Sequence, residues 1–261
     1  MRLTGLWVYP VKSAAGQAID RSRITSRGLA GDRQWMVTDS SGRFLTGREY
    51  PQLVRMQAIN TIEGLTLDAP GMPQLQIRRA VFNTLRFTGV WSSRFEAYCG
   101  DKAADAWMSK LLGIKAELLH IGNESRRTLR TDPSVRFGFA DGYPVLLLNR
   151  SSLDDLNGRL ASPVTERNFR PNLVIEGADA FAEDGWKRIQ IGEVQFELMK
   201  PCERCVFTTV DPDTAVMHPA QEPLRTLGSY RRTPAGVLFG QNLVARTPGI
   251  LQLGDAVTIL G

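Results

Sequence analysis

Lys200-Pro201-Cys202-Glu203-Arg204-Cys205-Val206-Phe207-Thr208-Thr209-Val210-Asp211-Pro212-Asp213-Thr214 carries two of the three cysteines in the chain. Ahead of it, Val194, Phe196 and Leu198 alternate with polar residues, the pattern of a half-buried strand. Val206 to Val210 is β-branched and reads as a second strand, ended by a turn at Asp211-Pro212-Asp213. On that reading Cys202 and Cys205 occupy the short connection between two strands. Spacing alone leaves three readings open. The pair could be a redox dithiol, although such motifs open a helix. It could be half of a zinc site, although only Cys99, His120 and His218 remain as soft ligands elsewhere. It could be two small residues that bury well. Arg204 favours a reactive role, because a cation beside Cys205 stabilises the thiolate that binds metal or attacks an electrophile.

The wider composition narrows the function classes. With 261 residues, 43% hydrophobic and 23% charged, the chain has the balance of a globular protein of one large or two modest domains. No apolar run approaches the ~20 residues that cross a bilayer, which argues against a membrane role. The N-terminus lacks a signal peptide's apolar core, so a cytoplasmic location is expected. The net charge of +5 is spread along the sequence. Its one dense run is Arg126-Arg127-x-x-Arg130, read as part of a polar surface loop from Asn123 to Ser134, and nucleic acid is not an expected partner.

Short strands separated by turns fill the first hundred residues, including Leu3–Val8, Gln34–Thr38, Leu53-Val54 and Val90-Trp91. Gly42 is the expected site of positive φ in a hairpin. Asp101 caps a helix to Leu112 with Ala104, Trp107, Met108, Leu111 and Leu112 on one face and Gly113 as its stop. Cys99 reads as structural. A second helix is expected over Ser152–Leu160, capped by Ser151 or Ser152, and a third short one near Glu222–Arg231. This is a β-rich α+β pattern of barrels or sandwiches.

Pro-Cys-x-Arg-Cys-x-x-Thr-Thr-Val-Asp-Pro resembles the signature of MOSC-domain proteins that bind the molybdenum cofactor. The group it is most similar to contains the mitochondrial amidoxime-reducing components and their bacterial counterparts, which protect against 6-hydroxylaminopurine. Tyr-Pro-Val-Lys-Ser, Gly-Leu-x-x-Asp-Arg, Asn-Phe-Arg-Pro-Asn and Phe-Gly-Gln-Asn continue the resemblance from Tyr9 to Gly261.

The resemblance implies an N-terminal MOSC-type β-barrel domain over residues 1–118 and a C-terminal MOSC β-barrel domain with flanking helices over 119–261. It implies Cys205 as the molybdenum ligand. Lys12, Ser13, Arg33, Arg170, Asn172, Arg204 and Asn242 would contact the cofactor, the cations offsetting its phosphate and dithiolene charge. Asp141, by itself a turn residue, would border the pocket as a proton donor or substrate contact. The implied activity is reduction of hydroxylamines, amidoximes or N-hydroxylated bases by oxygen-atom transfer to molybdenum. Bacterial relatives often add a ferredoxin domain with four clustered cysteines, and this sequence shows no such cluster. A separate ferredoxin- or flavodoxin-type electron donor is therefore expected. The competing implication is a carrier or sulfuration-related protein that holds the cofactor without turnover.

Overall fold

A computed structural model describes all 261 residues of the protein. Strands dominate, with three short α-helices among them. The largest sheet has nine strands. Along it run Gln17–Ala18, Arg2–Val8, Leu173–Glu176, Val145–Asn149, Gly236–Ala245, Val194–Arg204, Arg188–Ile191 and Val257–Ile259, and Arg232–Thr233 pairs off this path with Gly236–Ala245. Val145–Asn149 is buried along its whole length, as its continuous apolar run requires. It pairs in parallel with Leu173–Glu176, and the intervening chain crosses over through helix α2 (Arg150–Asn157), the connection that parallel pairing demands. Leu3, Leu6, Leu147, Ile175, Phe196 and Leu243 are central to the core of this sheet.

A second core gathers Trp35, Val37, Leu53, Leu65 and Leu118 around helix α1 (Lys102–Leu112). The cap is as expected: one Asp101 carboxylate oxygen accepts from the amides of Ala103 and Ala104 at 3.0 and 3.1 Å. Gly113 ends the helix at φ 72°, and Gly42 turns its hairpin at φ 85°.

Several local expectations are corrected. Val206–Thr209 is a 3-10 turn and not a strand. The hydroxyls of Thr208 and Thr209 donate three residues back, to the carbonyls of Cys205 and Val206 at 3.0 and 2.7 Å, and these local bonds override β propensity. Leu53-Val54 lies in another such turn, Pro51–Arg55, opened by its proline. Helix α2 starts earlier than expected: Asn149 caps it, while the Ser152 hydroxyl bonds Glu183 at 2.7 Å. The third helix, α3, covers Leu224–Tyr230. The supposed surface loop from Asn123 is largely a hairpin, Thr128–Leu129 with Asp132–Arg136, that buries Leu129, Val135 and Arg127. No helix is long and apolar enough to cross a membrane.

Candidate cofactor and substrate site

Val194–Arg204 pairs with Gly236–Ala245, and the register shifts twice, between Leu198 and Lys200 and between Pro201 and Glu203. Such bulges bend a strand and re-aim its side chains. Cys202 therefore lies inside the strand at the second shift, half-buried, and Cys205 stands just past the strand end, exposed, as the cap of the 206–209 turn. The expected short connection between two strands is replaced by a strand end and a 3-10 turn. Burial pushes the Cys202 thiol pKa up, with Arg204 pulling it partly back.

A cavity of about 190 Å³ opens beside these residues. Lys12, Ser13, Arg33, Asp141, Arg170, Asn172, Arg204, Cys205 and Asn242, all the residues singled out from the sequence, line it together. Four of the seven non-glycine residues with positive φ are also here: Ser13 (68°), Arg33 (43°), Trp91 (54°) and Arg170 (56°). Such backbone costs ~1–3 kcal/mol per residue and gathers where surrounding structure holds it for a purpose.

The cavity's cations are fixed by the frame. Arg33 Nη1 donates to Asp32 at 2.7 Å and to Asn172 Oδ1 at 3.0 Å, and its Nη2 donates to the Arg170 carbonyl at 3.1 Å. Asn172 accepts also from the Leu146 amide and donates to the Trp7 carbonyl and Asp32. Its two acceptor and two donor positions are thus used within the protein, so Asn172 holds Arg33 in place instead of offering a free contact. Arg170 Nη1 donates to the Ala14 carbonyl at 2.6 Å. Burial, and then the charge of Arg33, lower its pKa to about 10, which leaves it cationic at neutral pH. Arg204 Nε and Nη1 donate to the carbonyls of Phe239 (2.7 Å) and Phe169 (3.0 Å). The guanidinium expected beside the Cys205 thiolate is thus tied to the neighbouring chain segments. Gly240, at φ 76°, admits this arrangement: a Cβ there would lie 2.6 Å from the Leu147 carbonyl oxygen.

Two guanidinium nitrogens, Nη2 of Arg170 and of Arg204, are buried without a partner, as is the Thr46 hydroxyl. Buried donors left unpaired are costly, and an anionic ligand is the group that satisfies them. No three His, Cys, Asp or Glu side chains cluster to hold a metal. A metal at Cys205 would take its other ligands from a cofactor. An exposed, soft sulfur ligand at Cys205 and buried cationic donors from Arg170 and Arg204 fit a dithiolene-bearing, phosphorylated group.

At the mouth, Asp141 Oδ1 accepts from Lys12 Nζ at 2.6 Å and from the Trp91 indole at 2.8 Å. The side chain is 69% open to solvent. Partial desolvation acts to raise its pKa, but the charge and hydrogen bond of Lys12 outweigh it and hold the carboxyl down to about 2. Asp141, expected as a proton donor or substrate contact, is therefore ionised at neutral pH and paired with Lys12. Burial lowers the pKa of Lys12, against the pull of Asp141. Asn242 faces the same space and donates to the Pro201 carbonyl at 3.4 Å. Sequence reasoning passed over Trp91, Arg48, Tyr143 and Phe207, which also line the cavity.

Residues 1–115 match the MOSC N-terminal beta barrel domain and residues 134–258 match the MOSC domain. The chain belongs to the MOSC family, in the group of the mitochondrial amidoxime-reducing components. It is 36% identical to mitochondrial amidoxime-reducing component 1 of Homo sapiens, over 98% of this chain and 82% of that protein. It is also 36% identical to component 2 of Bos taurus, over 97% and 81%. Molybdenum cofactor sulfurase of Oryza sativa subsp. japonica is 31% identical over 92% of this chain and 32% of that protein. Among solved structures, YuaD of Bacillus subtilis spans 98% of this chain and 93% of its own at 10% identity and a TM-score of 0.44, too distant to bear on the site.

Proposed function

We propose that the protein is a molybdenum-cofactor-dependent reductase of N-hydroxylated compounds, with the Cys205 thiolate as the metal's protein ligand. The observation that carries this reading is the convergence on one cavity of an exposed cysteine, Cys205, and two guanidinium groups with unpartnered buried N–H groups. The names of the relatives support the choice of substrate class.

Arg170, Arg204 and Lys12 would bind the anionic parts of the cofactor, and Arg33, held by Asp32 and Asn172, would orient it. When bound, the molybdenum centre supplies the redox couple that accepts oxygen from the substrate. The net change takes N–OH to N–H with two electrons and two protons and releases water. The electrons would come from a separate ferredoxin- or flavodoxin-type protein. Asp141, ionised at the mouth, would meet substrate N–H groups through its second oxygen. A cytoplasmic setting belongs to the same proposal and is tested by cell fractionation.

The test is elemental analysis of protein made in a host that synthesises the cofactor, with turnover of an aromatic amidoxime by an artificial reductant. About one molybdenum per chain and amidine formation are expected. Metal-free protein from such a host would sink the reading. Bound molybdenum without turnover would favour the second reading, a cofactor carrier, which the likeness to the sulfurase supports.

A further inference from the structure

The fold splits the one dense basic run of the sequence. Arg126 and Arg130 are exposed, whereas Arg127 between them is only 3% exposed. Its guanidinium carbon lies 4.1 Å from the ring centre of Phe137 and 5.1 Å from that of Phe95. The hydrogen bonds of its guanidinium all go to carbonyls, and its Nε is buried without a partner. Nη1 donates to the carbonyls of Gly138 and, at 2.8 Å, Ala140, and Nη2 donates to that of Asp141 at 3.4 Å. Lys12 Nζ takes the carbonyl between them, Phe139, at 3.0 Å. Two buried cations thus hold the four successive carbonyls from Gly138 to Asp141.

On its other side this segment is threaded against Arg33. The Phe139 amide donates to the Arg33 carbonyl at 2.6 Å, and a Cβ on Gly138 would lie 2.3 Å from the same oxygen. The segment is thus held by backbone contacts on one side and by the two cations on the other, and the side chain it delivers is Asp141. Hairpin packing does not call for a guanidinium here. Leu129, Val135 and Phe137 supply the apolar contacts, and burial is costly enough to lower the pKa of Arg127 to about 10, only partly offset by the charge of Asp141.

We propose that Arg127 is a positioning residue, which sets the Asp141 carboxylate against Lys12 and Trp91 at the mouth of the cavity. Its two terminal nitrogens reach three carbonyls of one segment, which the single nitrogen of a lysine cannot reproduce. The substrate arm of the test rests on the proposed function; the spectroscopic arm does not.

The direct readout is the indole N–H signal of Trp91 in a ¹H–¹⁵N spectrum, picked out from the five tryptophans by Trp91→Phe. Arg127→Lys should move that signal in the same direction as Asp141→Asn, and should add little in the Asp141→Asn background. In molybdenum-loaded protein, Arg127→Lys should raise KM for an amidoxime about fivefold, with kcat within about twofold. Phe137→Leu, which loosens the guanidinium without removing its charge, should give a smaller shift of the same sign and serves if Arg127→Lys does not fold. A Trp91 signal unmoved by these changes, or shifts that add in full with Asp141→Asn, would overturn the inference. A loaded wild-type protein with no turnover would overturn the proposed function and leave the spectroscopic result to be judged alone.

Discussion

A methyl group on Gly47 would lie 2.3 Å from the ring of Phe207. Phe207 sits in the turn that follows Cys205, so a loop of the N-terminal half sets where that turn rests. Gly47→Ala should leave the fold intact at a cost of ~1–2 kcal/mol, since the tip of a ring can swing aside. It should lower molybdenum retention or kcat by moving the segment beside the thiolate. Metal content and turnover unchanged from wild type would show that Phe207 does not position Cys205.

Arg33 and Arg170 both place their guanidinium carbon over the ring of Tyr9, at 4.3 and 4.2 Å. The ring's negative face suits both cations and eases their mutual repulsion. Tyr9→Leu should destabilise the protein by ~2–4 kcal/mol in urea unfolding. The Tyr9 hydroxyl is buried without a partner, and burial pushes its pKa up to about 12. Tyr9→Phe should therefore match or exceed wild-type stability, because it deletes only an unsatisfied polar group. A loss as large as that of Tyr9→Leu would reveal a partner for the hydroxyl.

The two cysteines differ in exposure and should differ in effect. Cys205→Ser should abolish turnover and alter the paramagnetic resonance signal of the metal. Cys202→Ser should keep metal content close to wild type. Equal losses in both variants would point to a two-cysteine site.

His120 gives the pH dependence. Its Nδ1 accepts from the Gly122 amide at 3.2 Å, its Nε2 is buried without a partner, and burial lowers its pKa to about 4. The folded protein resists protonating this ring, and the unfolded chain does not. Stability should be complete above pH ~6.5 and fall as pH drops from there toward 4, by on the order of 3 kcal/mol in total. His120→Gln should flatten that part of a stability–pH curve. An unchanged slope between pH 6 and 4.5 would remove His120 as its cause.

Much of the site was legible through the resemblance to the MOSC family, whose short motifs here include Lys12-Ser13, Asn168-Phe169-Arg170-Pro171-Asn172 and the two cysteines; by themselves Lys12 and Asp141 read as loop and turn residues. The cap of α1 was legible because capping is a local matter. What failed depended on tertiary context. Val206–Thr209 has strand composition, but two threonine hydroxyls close it into a turn. Arg127 sits in a polar, charged run, and only the fold shows that Phe95 and Phe137 lie against it. Asp141 reads by itself as a turn residue, and only the fold brings Lys12, distant in sequence, to 2.6 Å from it.

The pairing of Arg2–Val8 with Leu173–Glu176 bears on how the molecule is made. A ribosome releases the first strand long before its neighbour exists, so that strand waits with an open edge while most of the chain is synthesised. Residues 1–118 made alone would keep that edge unpaired and expose Leu3, Leu6 and Val8, which belong to the core of the large sheet. Residues 173–176 cover the edge from Arg2 to Leu6, and the segment 254–257, which bonds Met1 and Leu3, joins only at the end of synthesis.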